Sequence, residues 1–484
     1  MAVALWHNLS RETDRVSGPE LRRYMRLVTI AGALCMAYLG LSGGTALAEL
    51  AKSLGASEGF YGWLNAAPYA AMAMQLPVSW LVERTRRRKW VFIWCVSIHR
   101  ALFIPLALIP FVLPEDWRTV RLGALLGVYL SSQVLAAAGV PTWWGWMADM
   151  IPPRIRGRYW AARQQVLLLV NMPCALFAGW FLDKAIGTSL GRQGGIAILF
   201  TAAAVCGVVD ILLFMFIPEI PKQPSTAEPT LGHLVLTPLK DVAFRRYMYY
   251  SVLISFATGG LMGQYSQRMM LDVVGMNNFR SNLCSTIMPA VGAWLAVRWW
   301  GRARDRWGSR PLVVIGTMLV VPHAAAWVFA TPSAQWVGML ITFLGGATWV
   351  GIDIACTNLV LRFNEGRRVS SYQAINAMMT ALGGVAGSAL AGLIAGGLAD
   401  RRWMMGPFPI TNYHVLFILS SVLRIGAVVL AVRMIEPQAK PARQVIRLMW
   451  DSLYDGTRSL VFGGLRTFGW PERATNGNSR LRKT

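Results

Sequence analysis

Gly301-Arg-Ala-Arg-Asp305-Arg306-Trp-Gly308-Ser-Arg310 ends one apolar run and opens the next, and Ser79-Trp-Leu-Val-Glu83-Arg84-Thr-Arg86-Arg-Arg88 does the same earlier in the chain. The two stretches align in register: Ser79 with Gly301, Glu83 with Asp305, Arg84 with Arg306 and Arg88 with Arg310. A second echo pairs GRYWA from Gly157 with SSYQA from Ser370. Loops that recur at matching places in two halves are the sequence trace of a parallel repeat.

Outward from these loops the chain is apolar. Of 484 residues, 55% are hydrophobic and 14% charged, too few charges for a soluble domain at about 25%. The missing water-facing surface must face lipid. A spanning helix needs about 20 apolar residues, and such runs fall at 27–51, 60–82, 90–112, 120–148, 160–183, 195–217, 247–273, 280–299, 311–330, 336–361, 369–398 and 412–434. Ser17-Gly18-Pro19-Glu20 supplies an N-cap, a first-turn proline and a capping-box acid, so a helix is expected to start there. The apolar run before Ala46-Leu-Ala48 exceeds a signal-peptide core, and the first helix is expected to be retained.

The net charge of +24 raises the question of nucleic acid, but Lys and Arg cluster in alternate short loops, which points to membrane topology and no nucleic-acid partner. Basic loops stand at 84–89, 152–158, 240–246, 301–310 and 365–368; those near Gly55, Pro114–Trp117, Thr331–Ser333 and Arg401–Thr411 are poorer. The positive-inside rule then places both termini in the cytoplasm. Proline-rich residues after Pro218 separate six spans from six. The expected organisation is an amino-terminal segment 1–26, a first half 27–217, a linker 218–246, a second half 247–434 and a basic tail 435–484. That tail interleaves apolar residues with Arg and Lys, as in a helix lying on anionic headgroups. Six cysteines, all in apolar runs and far apart, give no disulfide framework and no zinc site.

The G-x-x-x-D-R-x-G-x-R pattern, complete at 301–310, resembles the loop motif of the major facilitator superfamily. The first copy departs from it with Ser79, Glu83 and Arg86. Asp149-x-x-Pro-x-x-x-Arg156-Gly157-Arg158 also looks like the superfamily's loop after span four. The resemblance covers all twelve spans and implies an all-α membrane protein, with two pseudo-symmetric six-helix halves around a central cavity. In physical terms, Ser79 or Gly301 would let helices approach closely. The acid would sit near a facing helix N-terminus with the arginines pairing to it, making a latch between the halves.

An ionisable side chain at the bilayer centre costs about 2.5–3.5 kcal/mol on insertion scales. Asp353 lies nine residues from Arg362, about 13 Å along a helix, and is the first choice for a substrate or coupling group. Arg100 beside His99, and Arg424, are also deep. The resemblance puts their spans on the supporting side, where pairing with an acid is expected. Asp210 is close enough to the basic end to snorkel. Tyr38, Gln133, Gln264 and Asn358, with Ser42, Thr45, Ser131, Ser132, Ser255, Thr258 and Tyr265, form an uncharged hydrogen-bonding set on spans one, four, seven and ten. Such a lining suits a polar neutral, zwitterionic or amphipathic organic solute better than a polyanion. Trp143, Trp144 and Trp146 read as an aromatic belt before a ligand platform.

Catalytic motifs such as H-E-x-x-H, G-x-S-x-G and the Walker loop are missing, and the expectation is no enzyme and no cofactor. The sequence therefore reads as a monomeric secondary transporter of a small solute in the cell membrane, with a proton as a candidate coupling ion. A non-transporting sensor or assembly factor on the same scaffold is the alternative.

Overall fold

The computed structural model describes residues 18–75, 77–78, 88–219, 238–363, 369–406 and 408–436. Among them twelve membrane helices succeed one another. The first half holds α1 (Gly18–Ser42, resumed as Thr45–Ser53), α2 (Glu58–Met72), α3 (Arg88–Ala101, then Phe103–Val112), α4 (Arg118–Met150), α5 (Pro153–Ile186) and α6 (Gly191–Leu213). The second holds α7 (Val242–Ser255, continued irregularly to Val273), α8 (Asn278–Asn282, then Met288–Trp307), α9 (Ser309–Ala325), α10 (Gln335–Phe363), α11 (Val369–Gly397) and α12 (Asn412–Val432). A two-stranded hairpin, β1 (Trp403–Met405) and β2 (Phe408–Ile410), joins the last two.

Helix is what these runs must form, because lipid offers no partner to a free backbone N–H or C=O. Nine of the described helices are long and apolar enough to cross a membrane by themselves. The remaining three are α2, whose described helix has 15 residues, and α7 and α8, which π-helical turns interrupt. Several starts carry a side-chain cap: Asp241 accepts from the N–H of Ala243 and Phe244, and Asn277 from that of Arg280. Gly308 turns the chain between α8 and α9 at φ 89°, where a Cβ would be strained, which explains that glycine of the loop motif. The described first helix runs from Gly18, in line with the capping signal at Ser17–Glu20 and ahead of the apolar run at 27. Its extra turns carry Arg22, Arg23 and Arg26, all exposed, so they extend the helix beyond the apolar run.

Helix contacts repeat from half to half. In the first half α1 packs on α5 and α6, α2 on α4, and α3 on α4 and α6. In the second, α7 packs on α11 and α12, α8 on α10, and α9 on α10 and α12. The halves meet where α2 lies along α11 and where the start of α8 lies against α5. Small residues permit the first contact, since Gly62 faces Gly392 and Ser388, and Gly59 also lies against Gly392.

Candidate functional site

The described basic loops, at 152–158, 240–246 and 301–310, lie with Arg88 at one end of the bundle, called here the basic end. At the opposite end, ionic and hydrogen-bonded contacts cross between the halves. Lys52 at the end of α1 binds Asp272 at 2.5 Å, and Asp272 takes Arg268 at 2.8 Å. Arg268 reaches Glu58 at the start of α2 (3.2 Å) and lies over the Tyr61 ring. Glu58 also accepts from the Tyr413 hydroxyl of α12 at 2.8 Å. Across the molecule the Asp183 carboxylate of α5 accepts from the backbone N–H of Asn278 and Phe279, both at 2.9 Å, at the start of α8. An anion on free helix N–H groups is favourable.

At the basic end, every hydrogen bond and ion pair among the described residues stays within one half. The Arg88 side chain binds Asp149 at 2.7 Å, and its backbone N–H donates to Glu219 at 2.9 Å. In the same register, Arg310 N–H donates to Glu436 at 2.6 Å, with Ser309 N–H at 3.3 Å. One carboxylate from beyond the sixth or twelfth helix therefore caps α3 or α9. Burial pushes the Glu219 carboxyl above its ordinary range, against the lowering effect of Lys89 and Arg88. Arg362, which stands where the first half has Asp149, binds Glu436 at 2.5 Å.

Around the second loop motif, Asp305 pairs with its neighbour Arg304 at 2.7 Å and is largely exposed, as is Arg306. A methyl group at Gly301 would meet nothing within 4 Å. Among the described residues, then, neither a close helix approach at Gly301 nor a latch contact at Asp305 across the halves is present. Close packing occurs instead where Trp300 meets Gly351 of α10. Ser79, Glu83 and Arg84 lie outside the described residues, as do residues 220–237 of the linker and 437–484 of the tail.

Asp353 is exposed on α10. Around that helix, Ala347 and Gly351 face α8, Ile352 faces α9, and Cys356 lies towards Tyr247 of α7. The remaining arc of α10, which carries Asp353 and Thr357, is exposed. Among the described residues Asp353 is the one acid at this depth without an ion-pair partner. Gln264 on α7 is half-buried with a free side-chain oxygen, and Gln133 on α4 is half-buried.

Several expected lining residues lie elsewhere, among them Thr45, Ser255 and Tyr265, which are buried in helix contacts. Tyr38 is buried inside the first half, where Arg100 lies 3.8 Å from its ring centroid and His99 is 3.4 Å from its hydroxyl. Ser132 also turns inward, to His99 at 2.7 Å. Asn358 accepts from Arg304 at 2.5 Å and so belongs with the loop motif. Arg100 and Asp210 form a buried ion pair at 3.6 Å; Asp210 is 2% exposed and does not snorkel. Arg424 differs from expectation, having no acid partner among the described residues: it donates to Val320 O at 2.7 Å and to the Met262 sulfur. Trp146 is buried with its indole N–H on Pro218 O, whereas Trp144 is exposed.

Sequence reasoning passed over Glu58, Arg268, Asp272 and Asp183, since charges at the ends of spans look solvated. It also passed over Glu219 and Glu436, whose partners are helix ends far away in sequence.

Two six-helix halves tied together by charged contacts at one end, with an exposed acid on α10, are the form of a solute carrier. The profile of the Major Facilitator Superfamily matches residues 29–388, and the chain belongs to that family. It is a secondary transporter and not an enzyme. Its structure is similar to the E. coli xylose transporter XylE in an inward open conformation (TM-score 0.64, 12% identity, 88% of this chain and 99% of that one). It is also similar to a bacterial homologue of the human lysosomal transporter Spinster (0.64, 15%, 87% and 98%). The nucleoside transporter NupG gives 0.61 at 13%, covering 85% and 98%. No curated protein matches by sequence.

Proposed function

We propose that this protein carries a small neutral, zwitterionic or amphipathic organic solute across the cell membrane by alternating access, coupled to protons through Asp353. The unpaired carboxylate on the open face of α10 carries this reading, because a charge at that depth is expensive unless it works. Among the similar structures is a D-xylose–proton symporter, which supports a proton as the coupling ion. Gln264 and Gln133 are the candidate solute contacts. In this reading the protein acts as a monomer, the basic end and both termini are cytoplasmic, and the chain is captured open to the cytoplasm. The halves are 27–217 and 247–434, joined by the linker 218–246 and flanked by 1–26 and 435–484. Gly301, Asp305, Arg306, Gly308 and Arg310, with Ser79, Glu83, Arg84 and Arg88, form the latch of the other state, when the basic end closes.

The test is a solute screen in proteoliposomes with and without a pH gradient. Asp353→Asn keeps size and hydrogen bonding but removes the titrating group, so it should abolish gradient-driven accumulation while solute exchange continues. Intact proton-driven accumulation in that variant would eliminate Asp353 as the coupling group.

A further inference from the structure

The seventh helix is broken where the other half touches it. Its regular α-helix ends at Ser255, Phe256–Gly260 is π-helical, Gly263 takes the non-helical angles φ −6° and ψ −107°, and a second π turn covers Met269–Val273. A π turn and a break inside one helix free backbone groups that lipid cannot satisfy. Ser420 of α12 donates to Ala257 O, and a side chain from α2 serves the rest of the joint. The Asn65 amide, 5% exposed, donates to Gly259 O at 2.8 Å and Gly260 O at 2.9 Å, and also to the Ser388 hydroxyl of α11. Its oxygen accepts from Gln264 N–H at 3.2 Å, just beyond the break.

We propose that Asn65 is the positioning residue that holds the outer piece of α7, residues 261–273, in its closed place and must let go for the opposite end to open. This rests on the alternating-access reading. The geometry favours a releasable joint over simple packing for two reasons. An asparagine supplies both donor and acceptor to backbone that would otherwise be unsatisfied, so the break is stable only while α2 is docked. The same piece of α7 carries Arg268 and Tyr265, which bind the side chain and the backbone oxygen of Glu58, so docking of α2 sets its position at two levels. It also carries Gln264, a candidate solute contact, which links occupancy of the cavity to the joint.

Hydrogen exchange read by mass spectrometry on the full-length protein in nanodiscs tests this. Asn65→Leu, of similar volume but without hydrogen bonds, should raise exchange of amides 256–273 on the order of tenfold and leave α3 and α6 unchanged. Gly263→Ala perturbs the joint from the other side, since its methyl group would overlap the Asn65 amide, and should give the same localised rise. If either variant fails to fold, the other decides. Unchanged exchange at 256–273, or an equal rise in every helix, would overturn the proposal. Neither result depends on solute transport, so the transport reading fails separately, in wild-type proteoliposomes.

Discussion

Among the described residues, ion pairs cross between the halves at the opposite end, and at the basic end they stay within one half. Lys52, Asp272, Arg268 and Glu58 make an alternating chain from α1 to α7 to α2, whereas, among the described residues, Arg88, Asp149, Glu219, Arg310, Arg362 and Glu436 bind partners of their own half. The difference teaches which contacts a transport cycle must break. The basic-end staples can persist as each half moves as a body, while the opposite-end chain cannot.

Arg268→Met should give the largest effect, because it leaves Glu58 without its cation, while Asp272 keeps Lys52. Removing one member of a buried pair costs about 3–5 kcal/mol, and the cost falls on the closed opposite end alone. A bias of about 3 kcal/mol is more than a hundredfold in population. The expected result is faster labelling of the cavity from the opposite end, and the double variant Glu58→Gln/Arg268→Met should recover part of the loss. Equal labelling in wild type and Arg268→Met would break the distinction between the ends.

The buried arginines sharpen it, since neither crosses between halves. Arg100→Met leaves Asp210 buried and unpaired, so it should cost about 3–5 kcal/mol of stability in both states. Arg424→Met strands no acid, only the Val320 carbonyl, and should stay within about 1.5 kcal/mol. Thermal unfolding in detergent measures both, and a milder effect from Arg100→Met than from Arg424→Met would contradict the assignment of partners.

The smallest expected effect is a pH dependence at Glu219. Its folded-state pKa is raised by burial, so the folded protein holds the proton more tightly than the unfolded chain. Stability from this group is therefore present at low pH and lost as pH rises from the ordinary carboxylate range through the raised value. Glu219→Gln should flatten that part of the profile of unfolding temperature against pH. A steeper profile in the variant would reverse the sign argued here.

The spans and the repeat were legible because lipid imposes long apolar runs, and because Gly301 to Arg310 and Ser79 to Arg88 preserve a register that needs no structure to see. The break in α7 was not legible. Gly259, Gly260 and Gly263 look like ordinary small residues in an apolar run, and Asn65 carries meaning only through backbone atoms about 200 residues away. Tyr38 and Ser132 were misplaced for a related reason, since a polar residue on a cavity-lining helix has two faces to choose from. His99 and Arg100, inside the first half, draw both inward. For Asp353, depth was readable from its distance to Arg362. The open arc of α10 was not, since packing on α8 and α9 defines it.

Paired distance measurements across both ends test the account most directly. Spin labels on bio-orthogonal side chains, one pair at Arg118 and Met404 across the opposite end and one at Arg158 and Arg306 across the basic end, report the two gaps in the same sample. Arg268→Met should lengthen the first distance and shorten the second, as one end opens and the other closes. Lengthening at the opposite end with no change at the basic end would contradict alternating access as the working motion of this protein.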